Sequence, residues 1–126
     1  TNYGVPGFVQ EAAVFALDQG RALETAVAAP FARRRAIAAR VLAAQNVVRA
    51  VPCSGAMYLM LDIRATGLSG EVFAAILLEK ERIAEMPGES FGRCAAGHLR
   101  VAMTIADDKF EAALNSLCRL AREMAP

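Results

Sequence analysis

Residues 86–105 read MPGESFGRCAAGHLRVAMTI, and the end of this stretch decides how we interpret the fold. The side chains alternate there, with Leu99 and Val101 on one face of a predicted strand and Arg100 on the other. The first face is typical of a core. A guanidinium in mid-strand requires a partner, because breaking a buried ion pair costs about 3 to 5 kcal/mol. Arg100 therefore either pairs with an acid elsewhere in the chain or binds an anion from outside, such as a carboxylate.

The length and charge of the chain exclude several classes of protein. With 126 residues the chain has room for one compact domain. The 14 basic and 13 acidic residues give a formal net charge of +1, so we expect no nucleic-acid partner and no membrane partner. The sequence also has no run of about 18 apolar residues that could span a bilayer. Because the three cysteines are odd in number and unrelated in spacing, we expect a reducing, cytoplasmic compartment.

The cysteines and the histidine do not form a pattern that indicates a metal site. Cys53, Cys94 and Cys118 are odd in number and have unrelated spacings, so we predict neither a disulfide framework nor bound metal. Cys94 and His98 are four residues apart, but no third or fourth ligand lies near them in the sequence. We interpret His98 as a hydrogen-bonded structural histidine, with a substrate role as the alternative.

The first fifty residues have a helical composition. Apolar side chains cover much of a helix over 8–19, which Gly20 is placed to end, and we expect this helix to be buried. A second helical segment follows over 21–46. Pro30 predicts a kink or a break in it, with the longer helix starting near the proline. We interpret the arginines of this segment as a solvated helix face: Arg33, Arg34, Arg35 and Arg40.

The remainder of the chain alternates between strand and helix patterns. We interpret a stripe of methionine and tyrosine around Tyr58 as core, and we expect Ser69 and Asp107 to cap the two helices that follow them. The order predicts an α+β fold, in which a small, largely antiparallel sheet has helices on one face and is preceded by one long or kinked helix. The predicted strands cover 47–51, 56–63, 83–86 and 98–105, and the predicted helices cover 70–82 and the segment after 107.

Four motifs, in this order, resemble one protein family. They are GAMYLMLDI at 55–63, IAEMPGESFG at 83–92, GHLRVAMT at 97–104 and DDKFEAAL at 107–114. Together they resemble the C-terminal small domain of class I/II pyridoxal-phosphate aminotransferases of the aspartate aminotransferase fold. The upstream stretch YGVPGFVQEAAVFAL and the arginine run RRR resemble the segment of this family in which the large domain passes into the small one.

The resemblance implies a domain organisation and a role for one residue. Residues 1–50 would be a helical segment that links to an absent large domain, and residues 51–126 would be the C-terminal small domain. In the family, the arginine at the position of Arg100 binds the α-carboxylate of the amino acid or 2-oxo acid substrate. The resemblance implies the same role for Arg100, a shaping role for the loop 87–92, and closure of the active site by the small domain.

The resemblance also implies that the cofactor residues lie outside this chain. The Schiff-base lysine of the family lies upstream, whereas the two lysines here, Lys80 and Lys109, fall in predicted helices. We therefore expect pyridoxal 5′-phosphate in the full-length parent, no cofactor and no catalytic residue in this chain, and no activity of the chain alone. The chain opens at Thr1 without a methionine, as if a longer protein had been cut, and the family implies a homodimeric parent.

An alternative is a stand-alone small-molecule-binding or dimerisation module, since a small sheet with helices on one face serves many functions. Arg100 would then be a structural or effector-binding charge, with Asp62 or Asp107 as a possible neighbour. A strand-end position for Asp62 and a helix cap for Asp107 are the simpler interpretations. A reading frame with a strand-ending lysine upstream of Thr1 would favour the aminotransferase, and one that starts at Thr1 would favour the module.

Overall fold

A computed structural model describes residues 4–126, so the first three residues of the predicted helical segment lie outside the described residues. Within this range the chain forms four α-helices and a four-stranded antiparallel sheet, which confirms the predicted α+β fold. The helices are α1 (Gly7–Asp18), α2 (Arg21–Ala43), α3 (Gly70–Glu81) and α4 (Asp107–Met124). The strands are β1 (Arg49–Ala50), β2 (Tyr58–Asp62), β3 (Met86–Pro87) and β4 (His98–Ala102).

The sheet places β4 between two antiparallel neighbours. The strand order is β1-β2-β4-β3, and Arg100 is paired with Met60 of β2 on one side and with Met86 of β3 on the other. The prediction that Pro87 ends the third strand was wrong, because β3 includes it. A proline is tolerated there since β3 is an edge strand, whose outer N–H groups need no partner.

The core lies on one face of the sheet, as predicted. Leu59 and Leu61 of β2 and Leu99 and Val101 of β4 are at most 4% exposed, and helix residues cover them. Within residues 4–126 the other face carries Tyr58, Met60 and Arg100, which are exposed or half-buried, so it is available to form one wall of a cleft. The helix residues of the core are Ala38, Val41, Leu42, Phe73, Ala74, Leu77, Phe110, Leu114, Leu117, Cys118, Leu120 and Ala121.

The first helix differs from its prediction. We expected the segment 8–19 to be buried, but α1 has no buried residue, and Phe8, Phe15 and Leu17 are 75%, 67% and 74% exposed. The apolar pattern predicted the helix correctly. The pattern could not show whether other residues of this chain cover the helix. Within the described residues, none of its side chains is buried.

The second helix runs without interruption through Pro30. Of the two predicted alternatives, a kink or a break, the break with the longer helix starting near the proline was wrong, because α2 is continuous from Arg21 to Ala43. A proline inside a helix removes one hydrogen bond at a cost of about 3 kcal/mol. Two kinds of contact between the later part of α2 and α4 offset this cost. Arginines of α2 form ion pairs with acids of α4, and side chains of α2 such as Ala38 and Val41 are buried.

Three arginines of α2 form ion pairs with α4, namely Arg33, Arg34 and Arg40, and these contacts correct two predictions. Arg34 is only 13% exposed and donates to Asp107 at 2.7 Å and to the carbonyl oxygen of Met103 at 2.8 Å, so it is not part of a solvated face. Arg33, 59% exposed, also donates to Asp107. Asp107 is therefore not the predicted cap. It is the first residue of α4, and its carboxylate is occupied by the two arginines.

The remaining helix predictions agree with the structure. Ser69 caps α3 by accepting a hydrogen bond from the N–H of Val72, as predicted. No helix within residues 4–126 is both long enough and apolar enough to cross a bilayer.

Candidate functional site

The position of Arg100 follows from the strand that carries it. Its sequence neighbours Leu99 and Val101 are buried in the core, so the alternation of β4 directs Arg100 to the uncovered face of the sheet. Met60 and Met86 flank it in register on the two adjacent strands. Arg100 is half-buried, so that its guanidinium is partly shielded from water while one side of it remains accessible.

Two aromatic rings cover the guanidinium of Arg100. Its Cζ atom lies 4.4 Å from the ring centroid of Tyr58 and 4.8 Å from that of Phe91. Stacking over the face of an aromatic ring stabilises a guanidinium by about 0.5 to 2 kcal/mol. The interpretation of the stripe around Tyr58 as core was wrong, because Tyr58 is 39% exposed and packs on Arg100 instead.

No acidic residue pairs with Arg100. Across residues 4–126 its guanidinium makes neither a hydrogen bond nor an ion pair with protein atoms. Asp62, a possible neighbour in the sequence analysis, binds Arg64 at 2.9 and 2.7 Å, and these hydrogen bonds lower the pKa of Asp62 to about 2. Asp107, the other possible neighbour, is held by α2. The hydrogen-bonding edge of Arg100 is therefore free for a partner from outside.

Glu85 is the acidic residue whose pKa is affected by the nearby charge of Arg100. Burial raises the pKa of Glu85 to about 7, and the nearby charge of Arg100 opposes this rise without cancelling it. A large fraction of this carboxyl is consequently protonated at neutral pH, so Glu85 neutralises Arg100 only in part. The sequence analysis did not identify Glu85, whose only signal was an acid within an otherwise apolar strand pattern.

Arg100 lies between two shallow clefts. One has a volume of about 370 Å³ and is also lined by Met86 and Ser90, and the other has a volume of about 240 Å³ and is also lined by Tyr58. A separate cavity of about 300 Å³ between residues 82–85 and α4 is mostly apolar and does not include Arg100. The clefts beside Arg100 are the better candidates for an anionic ligand, because the lining of the separate cavity is mostly apolar and its one arginine, Arg82, is exposed to solvent and not half-buried like Arg100.

The loop 87–92 forms the rim of the larger cleft. Its residues Gly88–Phe91 form a 3₁₀ helix that brings Phe91 over Arg100. Phe91 was not identified from the sequence, although an aromatic residue in a glycine-rich loop before a strand arginine was the available signal. His98 lies on the same face as Arg100, and its Nδ1 atom donates to the carbonyl oxygen of Ala96 at 2.9 Å, as a structural histidine would.

The other polar groups weighed in the sequence analysis lie apart from the clefts or form no site. The cysteines are free, and burial raises the pKa of Cys118 to about 11. In the part of the chain that the structure describes, no three metal-binding side chains come together. Lys80 on α3 and Lys109 on α4 are both exposed, and neither lines the Arg100 clefts. These lysines do not fit an attachment site for pyridoxal phosphate.

Comparison with known proteins identifies relatives of the whole chain. No protein-family model matches the sequence. The chain is 34% identical over 122 residues to an arginine–pyruvate transaminase of Pseudomonas aeruginosa, a match that covers 97% of this chain and 31% of the relative. It is 32% identical over 116 residues to an aspartate aminotransferase of Pyrococcus horikoshii, covering 90% of this chain and 29% of the relative. These matches fall in the C-terminal part of the relatives. The chain is similar to the carboxyl-terminal part of these aminotransferases.

A solved aminotransferase structure agrees with this assignment. An aromatic aminotransferase from Pyrococcus horikoshii superposes on the chain with a TM-score of 0.78 and 32% sequence identity, over 92% of this chain and 31% of that protein. The chain thus spans about 31% of the length of the aminotransferase relatives it matches. The aminotransferases as a family use pyridoxal phosphate.

Proposed function

We propose that this chain is the C-terminal small domain of a pyridoxal-phosphate-dependent aminotransferase, and that Arg100 binds the α-carboxylate of the amino acid or 2-oxo acid substrate. The observation that carries the proposal is the state of Arg100. It is a half-buried cation on the uncovered face of the sheet, with aromatic rings on its faces and no acid on its edge. The similarity to aminotransferases supplies the reaction class.

The chemistry of the guanidinium supports a carboxylate as the ligand. The N–H groups of a guanidinium lie in its plane, and a carboxylate accepts two of them side by side. The rings of Tyr58 and Phe91 contact the guanidinium, and its N–H groups have no hydrogen-bond partner within residues 4–126, so they are available to a ligand. The rings also restrict the side chain, so less freedom is lost when the substrate binds. A substrate held by its carboxylate is oriented for reaction at the neighbouring carbon, a contribution that can reach several kcal/mol.

The rest of the enzyme belongs to the same proposal. Residues 1–50 would link to an N-terminal large domain, and the exposed Phe8, Phe15 and Leu17 of α1 suit a helix that packs on such a domain. Residues 51–126 would form the small domain that closes the active site. The large domain would hold pyridoxal 5′-phosphate, since Lys80 and Lys109 do not fit this role. A homodimeric parent and a cytoplasmic location are further parts of the proposal.

The test uses the protein encoded by the complete reading frame that contains this chain. Amino donors would be screened with pyruvate and 2-oxoglutarate as acceptors, starting from L-arginine and L-aspartate, which follow the names of the two relatives. With the best donor, Arg100→Ala should raise KM, lower turnover and reduce kcat/KM about a hundredfold or more, because a charge-assisted bidentate contact is lost.

Two controls make this test specific. Arg122→Ala removes an exposed arginine of α4 and should leave the kinetics unchanged. The amine that lacks only the α-carboxylate of the best donor should bind the unmodified enzyme and Arg100→Ala equally well. Near-normal kinetics of Arg100→Ala with the amino acid would refute the assignment of Arg100.

A further inference from the structure

The carboxylate of Glu89 joins three parts of the chain beside the Arg100 clefts. Its Oε1 atom accepts hydrogen bonds from the N–H of Gly70 at 2.9 Å and from the N–H of Gly97 at 3.0 Å. Gly70 is the first residue of α3, and Gly97 directly precedes β4. Glu89 itself lies in the 3₁₀ helix of the rim loop. One oxygen atom therefore attaches this loop to a helix and to the strand that carries Arg100.

These hydrogen bonds keep Glu89 ionised. The N–H of Gly97 lowers the pKa of Glu89 most, the N–H groups of Glu89 itself and of Gly70 add to the effect, and burial opposes it. An ionised acceptor forms stronger hydrogen bonds than a neutral one. The second oxygen, Oε2, is buried and accepts no hydrogen bond from residues 4–126. Oε1 therefore provides all the side-chain anchoring of the loop.

The backbone packs closely around this carboxylate. A Cβ atom added to Gly70 would collide with Oε2 of Glu89 and with the carbonyl oxygen of His98. A Cβ atom added to Gly88 would collide with the carbonyl oxygen of Ala95. Because Gly70 and Gly88 have no side chains, the carboxylate of Glu89 and the neighbouring backbone fit into the space beside them. The loop therefore lies directly against the beginning of β4.

Phe91 connects this anchor to Arg100. It is two residues after Glu89 and ends the same 3₁₀ helix, and the N–H of Gly92 closes the turn by donating to the carbonyl oxygen of Glu89 at 3.1 Å. The ring of Phe91 lies 4.8 Å from Cζ of Arg100. Because so short a turn has little freedom of its own, fixing Glu89 also fixes the ring against the guanidinium.

We propose that Glu89 is a positioning residue of the carboxylate site, which holds Phe91 against Arg100 so that the edge of the guanidinium stays directed into the cleft. This inference rests on the proposed function of Arg100. Glu89 binds backbone N–H groups and not Arg100, so it orients the loop without neutralising the charge that the substrate needs.

The test is made in the complete enzyme with its best amino donor. Glu89→Ala should raise KM for the amino acid about tenfold and change kcat by less than about threefold, because the guanidinium loses its fixed orientation. Glu89→Gln should keep KM near that of the unmodified enzyme, since its amide oxygen still accepts both N–H groups and no hydrogen bond to Oε2 is broken. Glu79→Ala, which removes an exposed glutamate of α3, is the matched control.

A double-mutant cycle shows whether Glu89 acts through Arg100. In the Arg100→Ala background, Glu89→Ala should change kcat/KM by less than about twofold, because the side chain that it positions is already absent. Phe91→Ala, which leaves the anchor intact, should raise KM as much as Glu89→Ala does. If Glu89→Ala does not fold, Glu89→Asp replaces it in the cycle, because its side chain is too short to reach both N–H groups.

The outcomes separate the two proposals. Equal effects of Glu89→Ala in both backgrounds, or a Glu89→Gln variant as impaired as Glu89→Ala, would overturn the positioning role. If Arg100→Ala has impaired kinetics and Glu89→Ala has normal kinetics, only the role of Glu89 would be refuted. An Arg100→Ala variant with unchanged kinetics would refute the proposed function, and the role of Glu89 with it.

Discussion

Arg34 and Arg100 are both partly or largely buried, yet of the two only Arg34 has acceptors for its N–H groups within residues 4–126. Arg34, between α2 and α4, donates to the carboxylate of Asp107 and to the carbonyl oxygen of Met103, and its Cζ atom lies 5.9 Å from the ring centroid of Phe31. Arg100 contacts the rings of Tyr58 and Phe91 and has no hydrogen-bond partner in this part of the chain.

The difference shows which arginine is available for a ligand. The run at Arg33, Arg34 and Arg35 has the highest density of positive charge in the sequence, but two of its members are bound to Asp107 of α4. Arg100, a single arginine in an apolar strand, is half-buried and makes no hydrogen bond or ion pair within residues 4–126. A high local density of positive charge is therefore not sufficient to indicate an anion site here.

The largest effect on stability is expected at the satisfied arginine. Arg34→Ala should lower the free energy of unfolding by about 2 to 3 kcal/mol, because it removes two hydrogen bonds of a nearly buried cation. Urea unfolding of the chain, followed by circular dichroism, measures the change. Arg122→Ala is the control, and a loss no larger than that of the control would show that Arg34 does not hold α2 to α4.

A smaller effect is expected from Glu85, the acid that responds to Arg100. Its pKa is raised in the folded chain, so the folded state binds an extra proton between about pH 4.5 and 7, and the free energy of unfolding falls as pH rises through this window. Glu85→Gln should remove this fall and be more stable than the unmodified chain by about 1 to 2 kcal/mol at pH 8. Parallel pH profiles of the two chains would contradict the raised pKa.

The smallest effect on stability is expected at the unsatisfied arginine. Arg100→Ala should change the free energy of unfolding by less than about 1 kcal/mol, because the loss of its contacts with the two rings is offset by the removal of a half-buried cation that has no hydrogen-bond partner within residues 4–126. Urea unfolding of the Arg100→Ala and Arg34→Ala variants, followed in the same way, compares their free energies of unfolding. A loss equal to that of Arg34→Ala would mean that Arg100 has a structural partner, and the contrast between the two arginines would fail.

The sequence was informative wherever a local pattern determines the structure. The alternation around Leu99 predicted the buried face of β4, and the pattern after residue 107 predicted the last helix, α4. Ser69 was recognised as a cap because its hydrogen bond is made three residues away. Such features depend on neighbours that lie close together in the chain.

The errors arose where a distant residue decides the structure. Asp107 is not a cap because Arg33 and Arg34, more than seventy positions earlier, bind it. Pro30 does not end its helix, since the packing of α2 on α4 offsets the lost hydrogen bond. At the candidate site, alternation predicted the face of Arg100. Its contact with Phe91 depends on how the rim loop folds back, which no periodicity encodes.

The glycines of the rim loop have a consequence for altering substrate preference by mutagenesis. Gly88 has no space for a side chain, whereas Ser90, two residues later, is exposed and lines the larger cleft beside Arg100. A randomised library made in the complete protein should therefore vary Ser90 and keep Gly88 unchanged. Different side chains at position 90 would change the shape of the cleft that incoming molecules meet. Side chains at position 88 would mostly yield misfolded variants.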